Sequence, residues 1–215
     1  MDNQKFWNAR IDEEKYLWGK EPTINSLKLI ELMPPKDKLV LDLGGAYGRD
    51  SVYLAKKGFQ VICADLSEKA ISLGKKWAKE ENVSEKIDFK LIDFFDNSFE
   101  DNSFDAIISF NFLHLFLEEK RKEIIKELAR ITKENGLIVF SNFSTKEAQY
   151  GKGKEYEKNT FHTKGKPVHF FGKQELTDLF EEHFKIKELT EKEIFEDHGG
   201  LKHSHIEWLL VAEKS

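Results

Sequence analysis

KLVLDLGGAYG, the sequence of residues 38–48, is a short apolar run that passes directly into a glycine-rich turn. A nearly continuous apolar run of this length is typical of a strand buried on both faces of a parallel sheet. Glycines directly after such a strand let the backbone turn sharply and approach a ligand closely at the start of a helix. The segment therefore predicts a strand, a binding turn and a helix, in that order.

Strand and helix patterns alternate on both sides of this segment. A helix is predicted before it at residues 23–33, where Pro34 and Pro35 end it. In this interpretation Asn135 and Gly136 cap the last helix of the series. The later helices are predicted at residues 49–57, 67–81 and 118–132, and the later strands at residues 59–64, 87–92, 104–110 and 137–140. Alternation of this kind predicts an α/β fold with a doubly wound, mostly parallel sheet.

Residues 144–168 interrupt the alternation. The segment is polar, with six lysines, three acidic residues and His162, and it predicts an irregular insertion after the fifth strand. An insertion beside a binding site could act as a lid or bind an anionic acceptor, and it could equally be a solvated loop. The pattern leaves these alternatives open.

The carboxyl-terminal part of the chain predicts the end of the sheet. A helix at residues 172–183 precedes strands at residues 184–194 and 206–211, with a turn at residues 197–200 between the strands. Because this connection is too short for a parallel crossover, the two strands should form an antiparallel hairpin. We therefore expect a seven-stranded sheet in a single domain, with residues 1–37 as an amino-terminal arm and helix.

The composition fits a single soluble domain. The chain has 215 residues, of which 40% are hydrophobic, which is enough for one buried core. It contains no apolar stretch near the ~18 residues of a membrane span and no secretory signal. Its one cysteine, Cys63, lies in an apolar run and predicts a buried thiol in a reducing compartment. With no membrane span predicted and a reducing compartment indicated, we expect a cytoplasmic protein. The net charge of −5 disfavours nucleic acid as a partner. The oligomeric state is left open.

Polar residues follow the predicted strands at the points where these strands end. Asp42 closes the first strand, Asp65 the second and Asp93 the third, and residues 111–114 follow the fourth. In an open α/β sheet the ligand binds outside the carboxyl ends of the strands. We therefore expect these groups to line one edge of the sheet.

The segment from residue 38 to residue 143 resembles a class I S-adenosylmethionine (SAM) dependent methyltransferase, a family with a Rossmann-like sheet. The resemblance implies that the turn around Gly44 and Gly48 contacts the methionine part of SAM. It also implies that Asp65 binds the ribose and that Asp93 binds the adenine amino group. The cofactor-binding residues predicted on this basis are Asp42, Gly44, Gly45, Gly48, Arg49, Asp65, Leu66, Asp93, Phe94, Asn111 and Trp18.

The spacing of the turn separates this family from dinucleotide-binding proteins. A G-x-G-x-x-G pattern starting at Gly44 would need glycines at positions 46 and 49, where the chain has Ala46 and Arg49. Ala46 also departs from the methyltransferase pattern, which has its middle glycine at this position. A positive φ angle at Ala46 would cost about 1 kcal/mol.

Several of these residues also have simpler interpretations. Residues 16–22 (YLWGKEP) resemble the arm that closes over the cofactor in tellurite-resistance and thiopurine-type methyltransferases, but Trp18 could instead only cover the sheet edge. Asp42 could fix the turn without touching a ligand. Asp65 could only stabilise the start of the next helix, and Asp93 could belong to a solvated acidic stretch.

Histidines are the candidate catalytic residues on the acceptor side. Methyl transfer from a sulfonium is a direct displacement, so a general base helps only when the acceptor must lose a proton. His203 and His205 lie two apart on a strand and should face the same way, and His114 follows the fourth strand. The pair at 203 and 205 could also bind a metal with His198 or Asp197. Histidine-rich turns are commonly just polar loops, however, so no metal is predicted.

These observations together predict the function. We expect a methyltransferase that moves the methyl group of SAM to oxygen, nitrogen or sulfur of a small molecule and releases S-adenosylhomocysteine. The alternatives are an RNA or protein methyltransferase and a SAM-binding protein without turnover. Residues 111–114 (NFLH) lack the Asn-Pro-Pro-aromatic sequence of enzymes that methylate exocyclic base amines, and Cys63 is not placed as a carbon nucleophile. Nucleic acid is therefore the less favoured acceptor.

Overall fold

The helices and strands were assigned from a computed structural model that describes residues 3–13, 16–163, 165–198 and 201–215. The α-helices are α1 (Asn3–Glu13), α2 (Ile24–Leu32), α3 (Arg49–Lys57), α4 (Glu68–Glu80), α5 (Glu118–Ile131) and α6 (Lys173–Glu181). The strands are β1 (Leu39–Leu43), β2 (Gln60–Asp65), β3 (Ile87–Leu91), β4 (Phe104–Phe110), β5 (Thr132–Phe143), β6 (Glu155–Glu157), β7 (Thr160–Thr163), β8 (Lys166–His169), β9 (Phe184–His198) and β10 (Leu201–Lys214). In the described part of the chain, no helix is long and apolar enough to cross a membrane.

The order of the strands places the binding edge. Within the described ranges the main sheet has seven strands in the order β3-β2-β1-β4-β5-β10-β9. Strands β1 to β5 pair in parallel, whereas β10 is antiparallel to both of its neighbours. Because the order reverses at β1, a crevice forms above the carboxyl ends of β1 and β4. This arrangement confirms the doubly wound sheet with its antiparallel end.

Each face of the sheet is covered by its own hydrophobic core. Neighbouring residues of β1 point to opposite faces, so that Val40 packs with α2, α3 and α4 while Leu41 packs with α5 and α6. Both side chains are fully buried, and burial of a side chain of this size contributes about 1.5–3 kcal/mol. The two cores hold the strand ends at fixed positions relative to one another.

Local signals in the sequence predicted several helix ends correctly. The Ser67 hydroxyl accepts a hydrogen bond from the amide of Ala70 and starts α4. Gly58 ends α3 with a φ angle of 108°, which favours glycine. Helix α2 begins after Thr23, whose amide and hydroxyl both donate to the buried carboxylate of Asp50 at 2.7 and 2.8 Å. Asp50 therefore attaches the amino-terminal region to α3.

Two sequence-based predictions of local structure were wrong. Asn135 and Gly136 do not cap α5, because the helix already ends at Ile131 and Thr132 is its cap. Both the backbone amide and the hydroxyl of Thr132 donate to the carbonyl of Leu128, the hydroxyl at 2.6 Å. Asn135, with a φ angle of 60°, lies instead in an irregular part of β5, where the register of pairing with β4 shifts.

Residues 144–168 are also more ordered than predicted. Strands β6, β7 and β8 form a small antiparallel sheet, hereafter the small sheet. Phe161, Val168 and Phe170 pack in a buried cluster against Phe143 of β5. Because these apolar residues are widely spaced among lysines, their pattern did not predict a strand. Their burial provides the core that a simple loop would lack.

Of the predicted turn at residues 197–200, Gly199 and Gly200 lie outside the described residues.

A buried ionic network fastens the small sheet to the main domain. The Arg121 side chain, which is 3% exposed, donates from Nη1 to Glu157 Oε1 at 2.9 Å and to the Phe116 carbonyl at 2.6 Å. On the other side, His169 Nε2 lies 2.6 Å from Glu175 Oε1, and His169 Nδ1 lies 2.7 Å from the Thr160 hydroxyl. The network joins β6, β7 and β8 to the starts of α5 and α6.

We expect Arg121→Met to lower the free energy of unfolding by about 2–3 kcal/mol, because it leaves a partly buried carboxylate without its partner. Urea denaturation measures this change. Arg130→Met on the same helix is the control, because Arg130 forms more exposed ion pairs and its loss should cost about 1 kcal/mol or less. Equal effects of the two substitutions would contradict the anchoring role of Arg121.

Candidate functional site

The turn after β1 has the unusual backbone that its sequence indicated. Gly44, Ala46 and Gly48 have φ angles of 69°, 49° and 77°. The positive angle at Ala46 confirms that an alanine occupies a position suited to glycine, at a cost of about 1 kcal/mol. The Ala46 amide donates to Asp65 Oδ2 at 2.9 Å, so the carboxylate at the end of β2 holds the turn in this shape.

Asp42 lies beneath the turn. Its side chain is buried and Oδ2 accepts a hydrogen bond from the Ser51 hydroxyl at 2.6 Å. A Cβ atom on Gly45 would lie 2.6 Å from this carboxylate, so only glycine fits above it. Burial, and to a smaller extent the nearby Asp50 carboxylate, together raise the pKa of the Asp42 carboxyl to about 7. These contacts support the turn from below and correspond to the simpler interpretation of Asp42.

Asp65 remains able to bind a ligand while it holds the turn. Besides the Ala46 amide it accepts from the amide of Ser67 at 2.8 Å, and it is half-buried, as is its neighbour Leu66. Burial raises the pKa of Asp65, and these backbone hydrogen bonds oppose that shift. Because an ionised carboxylate has about four acceptor positions, two further hydrogen bonds are available to hydroxyl groups.

Aromatic side chains connect the turn to the end of β3. Asp93 is exposed there and accepts from the Phe95 amide at 3.1 Å. Phe94 is buried, and its ring lies 6.3 Å from that of Phe112. The ring of Phe112 covers Gly44, where a Cβ atom would approach it to 2.7 Å. Asp93 and Asp65 thus lie at the ends of adjacent strands, as predicted.

The amino-terminal arm packs against the turn through Trp18. Its ring stacks on Tyr47 with the ring centroids 6.0 Å apart, and its amide donates to the Tyr47 hydroxyl at 2.8 Å. The Trp18 carbonyl accepts from Arg49 Nη1 at 2.7 Å, and the Arg49 guanidinium lies over the ring of Phe110. Arg49 and Tyr47 therefore fasten the arm to the ends of β1 and β4.

The arm and the small sheet meet each other. The Lys166 ammonium of β8 lies 4.1 Å from the centroid of Trp7 in α1 and 5.6 Å from that of Phe6. Helix α1 is also tied to the start of α4, because Asn8 Oδ1 accepts from the Ser67 hydroxyl at 2.8 Å. Helix α1 is thus in direct contact with the small sheet, whereas a covering role was predicted for residues 16–22 and 144–168.

Histidines and Phe143 form a wall beside the ends of β4, β5 and β10. The ring of Phe143 lies 4.8 Å from that of His114 and 5.1 Å from that of His205. The rings of His203 and His205 lie 4.8 Å apart, so these residues face the same way, as expected. Burial lowers the pKa of His114 well below its usual value, and the nearby charges of Lys166 and His169 lower it further. His114 is therefore neutral at physiological pH.

The predicted residue Asn111 has a polar partner, Glu207, that the sequence analysis missed. Asn111, with a φ angle of 51°, donates from Nδ2 to Oε1 of the buried Glu207 at 2.6 Å. Among the described residues, Asn111 Oδ1 and His114 Nδ1 are buried atoms with no hydrogen-bond partner. Glu207 could have been identified as a glutamate within the otherwise apolar run of β10. Glu147, another glutamate that the sequence analysis did not single out, follows shortly after β5.

The structure brings together no metal site in the residues that it describes. No group of three or more histidine, cysteine, aspartate or glutamate side chains there is arranged to hold an ion. The side chains of Asp197 and His198, which were considered as further ligands beside His203 and His205, lie outside the described residues.

Comparisons with known proteins agree with this geometry. Residues 40–136 match the model of a methyltransferase domain. A demethylmenaquinone methyltransferase of Clavibacter sepedonicus is 35% identical over 113 residues, which are 52% of this chain and 44% of that protein. The chain spans less than half the length of the first curated relatives that it matches.

Solved structures with a similar fold match most of the chain. A SAM-dependent methyltransferase of Methanosarcina mazei is 25% identical, with a TM-score of 0.75 over 87% of this chain and 96% of that chain. A 1,6-didemethyltoxoflavin-N1-methyltransferase of Burkholderia thailandensis, solved with 1,6-didemethyltoxoflavin and S-adenosylhomocysteine, is 18% identical. Its TM-score is 0.77 over 99% of this chain and 87% of that chain.

We expect Asp42→Asn to remove a pH-dependent loss of stability. Because the folded pKa is raised to about 7, the folded protein retains a proton that the unfolded chain loses near pH 4. Stability from this group is therefore present below about pH 4 and is lost as the pH rises through 7. The free energy of unfolding of Asp42→Asn, relative to that of the wild type, should therefore increase by about 1–3 kcal/mol from pH 5 to pH 8.

Urea unfolding of both proteins at the two pH values measures this difference. Asp93→Asn, which changes an exposed carboxylate at the same edge, is the control and should follow the wild type. A constant difference between Asp42→Asn and the wild type at both pH values would refute the assignment.

Proposed function

We propose that this chain, which has the class I SAM-dependent methyltransferase fold and a methyltransferase domain at residues 40–136, transfers the methyl group of SAM to a small molecule. One observation carries the proposal. The Asp65 carboxylate holds the Ala46 amide of the glycine turn and still has acceptor positions beside it, with Asp93 at the end of the adjacent strand. Two carboxylates spaced in this way suit the ribose hydroxyls and the adenine amino group of an adenosyl compound.

The residues at this edge fit such a ligand. Asp65 binds the ribose, Asp93 binds the adenine amino group, and Leu66 and Phe94 offer apolar surface to the base. Asn111, just after the carboxyl end of β4, has a buried amide oxygen that lacks a hydrogen-bond partner among the described residues. The remaining predicted residues shape the site: Gly44, Gly45, Gly48 and Asp42 form the turn, and Arg49 and Trp18 attach the arm.

The chain contributes alignment and exclusion of water. When bound, SAM supplies a methyl group made electrophilic by the positive sulfur. The turn and the two carboxylates orient the adenosyl group, which brings acceptor and methyl into line. The arm and the small sheet together cover the site, and this cover keeps water from the reacting groups.

We infer a small molecule as acceptor because the wall beside β5 is built from rings and imidazoles. His114 is neutral and serves as a hydrogen-bond partner, whereas His203 and His205 are the candidate bases. The names of the relatives support this class: one acts on demethylmenaquinone and one on 1,6-didemethyltoxoflavin. No specific observation favours RNA or protein as acceptor. A cytoplasmic location is part of the proposal and rests on the single, buried Cys63.

We expect Asp65→Ala to weaken SAM binding at least tenfold, because the ribose loses its acceptor and the turn loses its hydrogen bond from Ala46. Isothermal titration calorimetry measures the affinity, and circular dichroism verifies the fold. Asp96→Ala is the matched control, because Asp96 is an exposed carboxylate near the same edge. Unchanged affinity in Asp65→Ala would reject the ribose assignment.

We expect Lys166→Gln to open the cover, because it removes the ammonium from the rings of Trp7 and Phe6. A cation–π contact of about 0.5–2 kcal/mol corresponds to amide hydrogen exchange in α1 that is about 2- to 30-fold faster. Lys154→Gln is the control, because Lys154 lies over Tyr156 within its own small sheet. Identical rates of amide hydrogen exchange in α1 of the two variants would disprove that Lys166 holds α1 against the small sheet.

A further inference from the structure

Glu147 is a buried carboxylate that faces His205, one of the histidines in the wall around Phe143. Its side chain is 4% exposed, and its Oε1 lies 3.3 Å from Nδ1 of His205. Its other oxygen, Oε2, accepts a hydrogen bond from the amide of Ile206 at 2.8 Å. The backbone of β10 thus fixes one carboxylate oxygen and leaves the other for the imidazole of the neighbouring residue.

The position of Glu147 follows from a turn at the end of β5. The Glu147 amide donates to the carbonyl of Ser144 at 3.0 Å, and the Ser144 amide donates to the carbonyl of Ile206 at 2.9 Å. Burial of a carboxylate is costly unless hydrogen bonds or an opposite charge compensate it. The Ile206 amide compensates one oxygen, and His205 Nδ1 lies beside the other.

A carboxylate at Nδ1 selects the form of the imidazole. It favours the tautomer with the proton on Nδ1, which leaves the lone pair on Nε2, at the opposite side of the ring. As the ring stands, the Nδ1–H bond does not point along the line to Oε1. A small ring rotation makes the hydrogen bond, and such contacts are often poorly aligned without substrate.

His205 is better placed to accept a proton than His114. Its side chain is 20% exposed and has Glu147 to stabilise a positive charge. His114 is almost fully buried, and burial together with nearby Lys166 holds its pKa well below the usual value, so that it does not retain a proton. Both rings contact Phe143, so the two histidines lie against one aromatic side chain.

We propose that Glu147 is a positioning residue that holds His205 as the general base, and that the acceptor is an O–H or N–H compound that must lose its proton. This inference rests on the proposed function. The lone pair of the acceptor heteroatom forms the bond to the methyl carbon while the carbon–sulfur bond breaks and its electron pair stays on sulfur. The acceptor proton passes to Nε2 of His205, and Glu147 balances the charge of the imidazolium.

The first test needs no acceptor. Two-bond proton–nitrogen NMR of the full chain with ¹⁵N-labelled histidine, at about pH 8, reports the tautomer of each imidazole, and His205→Gln assigns the signal. We expect the Nδ1–H form for His205 in the wild type. In Glu147→Gln the amide oxygen keeps the Ile206 hydrogen bond and the amide NH₂ faces Nδ1, so the signal should change to the Nε2–H form.

The matched control is Glu191→Gln. Glu191 is a nearby partly buried glutamate that accepts from Ser144 and pairs with Lys146, and the described contacts place it against no histidine. It should leave the His205 signal unchanged. An Nε2–H form in the wild type, or the same spectrum in Glu147→Gln and the wild type, would overturn the proposal.

The second test uses a pair of acceptor probes, phenol and thiophenol, with methyl-labelled SAM. Thiophenol ionises near neutral pH and needs no base, whereas phenol must lose its proton during transfer. We expect Glu147→Gln and His205→Gln to slow methylation of phenol on the order of tenfold or more, with thiophenol methylation changed less than about threefold. Equal losses with both probes, or no transfer to phenol by the wild type, would overturn the base assignment.

Failure of the proposed function would look different. If SAM does not bind to the wild type in calorimetry, the methyltransferase proposal fails, whereas the tautomer of His205 is read without SAM. If SAM binds and the tautomer does not respond to Glu147→Gln, only the positioning role is lost.

Discussion

The hydrogen bond from the Ala46 amide to the Asp65 carboxylate is the interaction on which the site depends. It joins the turn after β1 to the end of β2, and the second oxygen of Asp65 accepts from Ser67 at the start of α4. One carboxylate thereby sets the relative position of two strands and a helix. The turn needs this support, because it contains an alanine at a positive φ angle and stands over the buried Asp42.

The same strand ends also anchor the two segments that we propose to cover the site. Tyr47, within the turn, stacks on Trp18 of the arm, and Asp50 at the start of α3 holds Thr23. The small sheet approaches from the other side and is fastened by Arg121. The proposed cover therefore comes from segments far apart in the chain, which meet because the sheet brings the carboxyl ends of β1 and β5 to the same edge.

The proposed acceptor side contains two pairs of buried or partly buried polar groups. Asn111, after β4, is hydrogen-bonded to Glu207 of β10, and Glu147, after β5, faces His205 of β10. Burial without water makes such pairs directional and sensitive to the loss of one member. The antiparallel insertion of β10 between β5 and β9 makes these pairs possible, because it brings residues after position 200 beside those that follow β4 and β5.

The sequence by itself determined the doubly wound, mostly parallel sheet with its antiparallel end, the caps at Ser67 and Gly58 and the same-face placement of His203 and His205. These features follow from periodicity and turn chemistry, which act between near neighbours in the chain. Only the tertiary structure decided the small sheet, the end of α5 at Thr132 instead of Asn135, the contact of Lys166 with Trp7 and the pair of Glu147 with His205. Their partners lie far apart in sequence and share no repeating pattern, because burial and charge compensation act on whichever groups the completed sheet brings together.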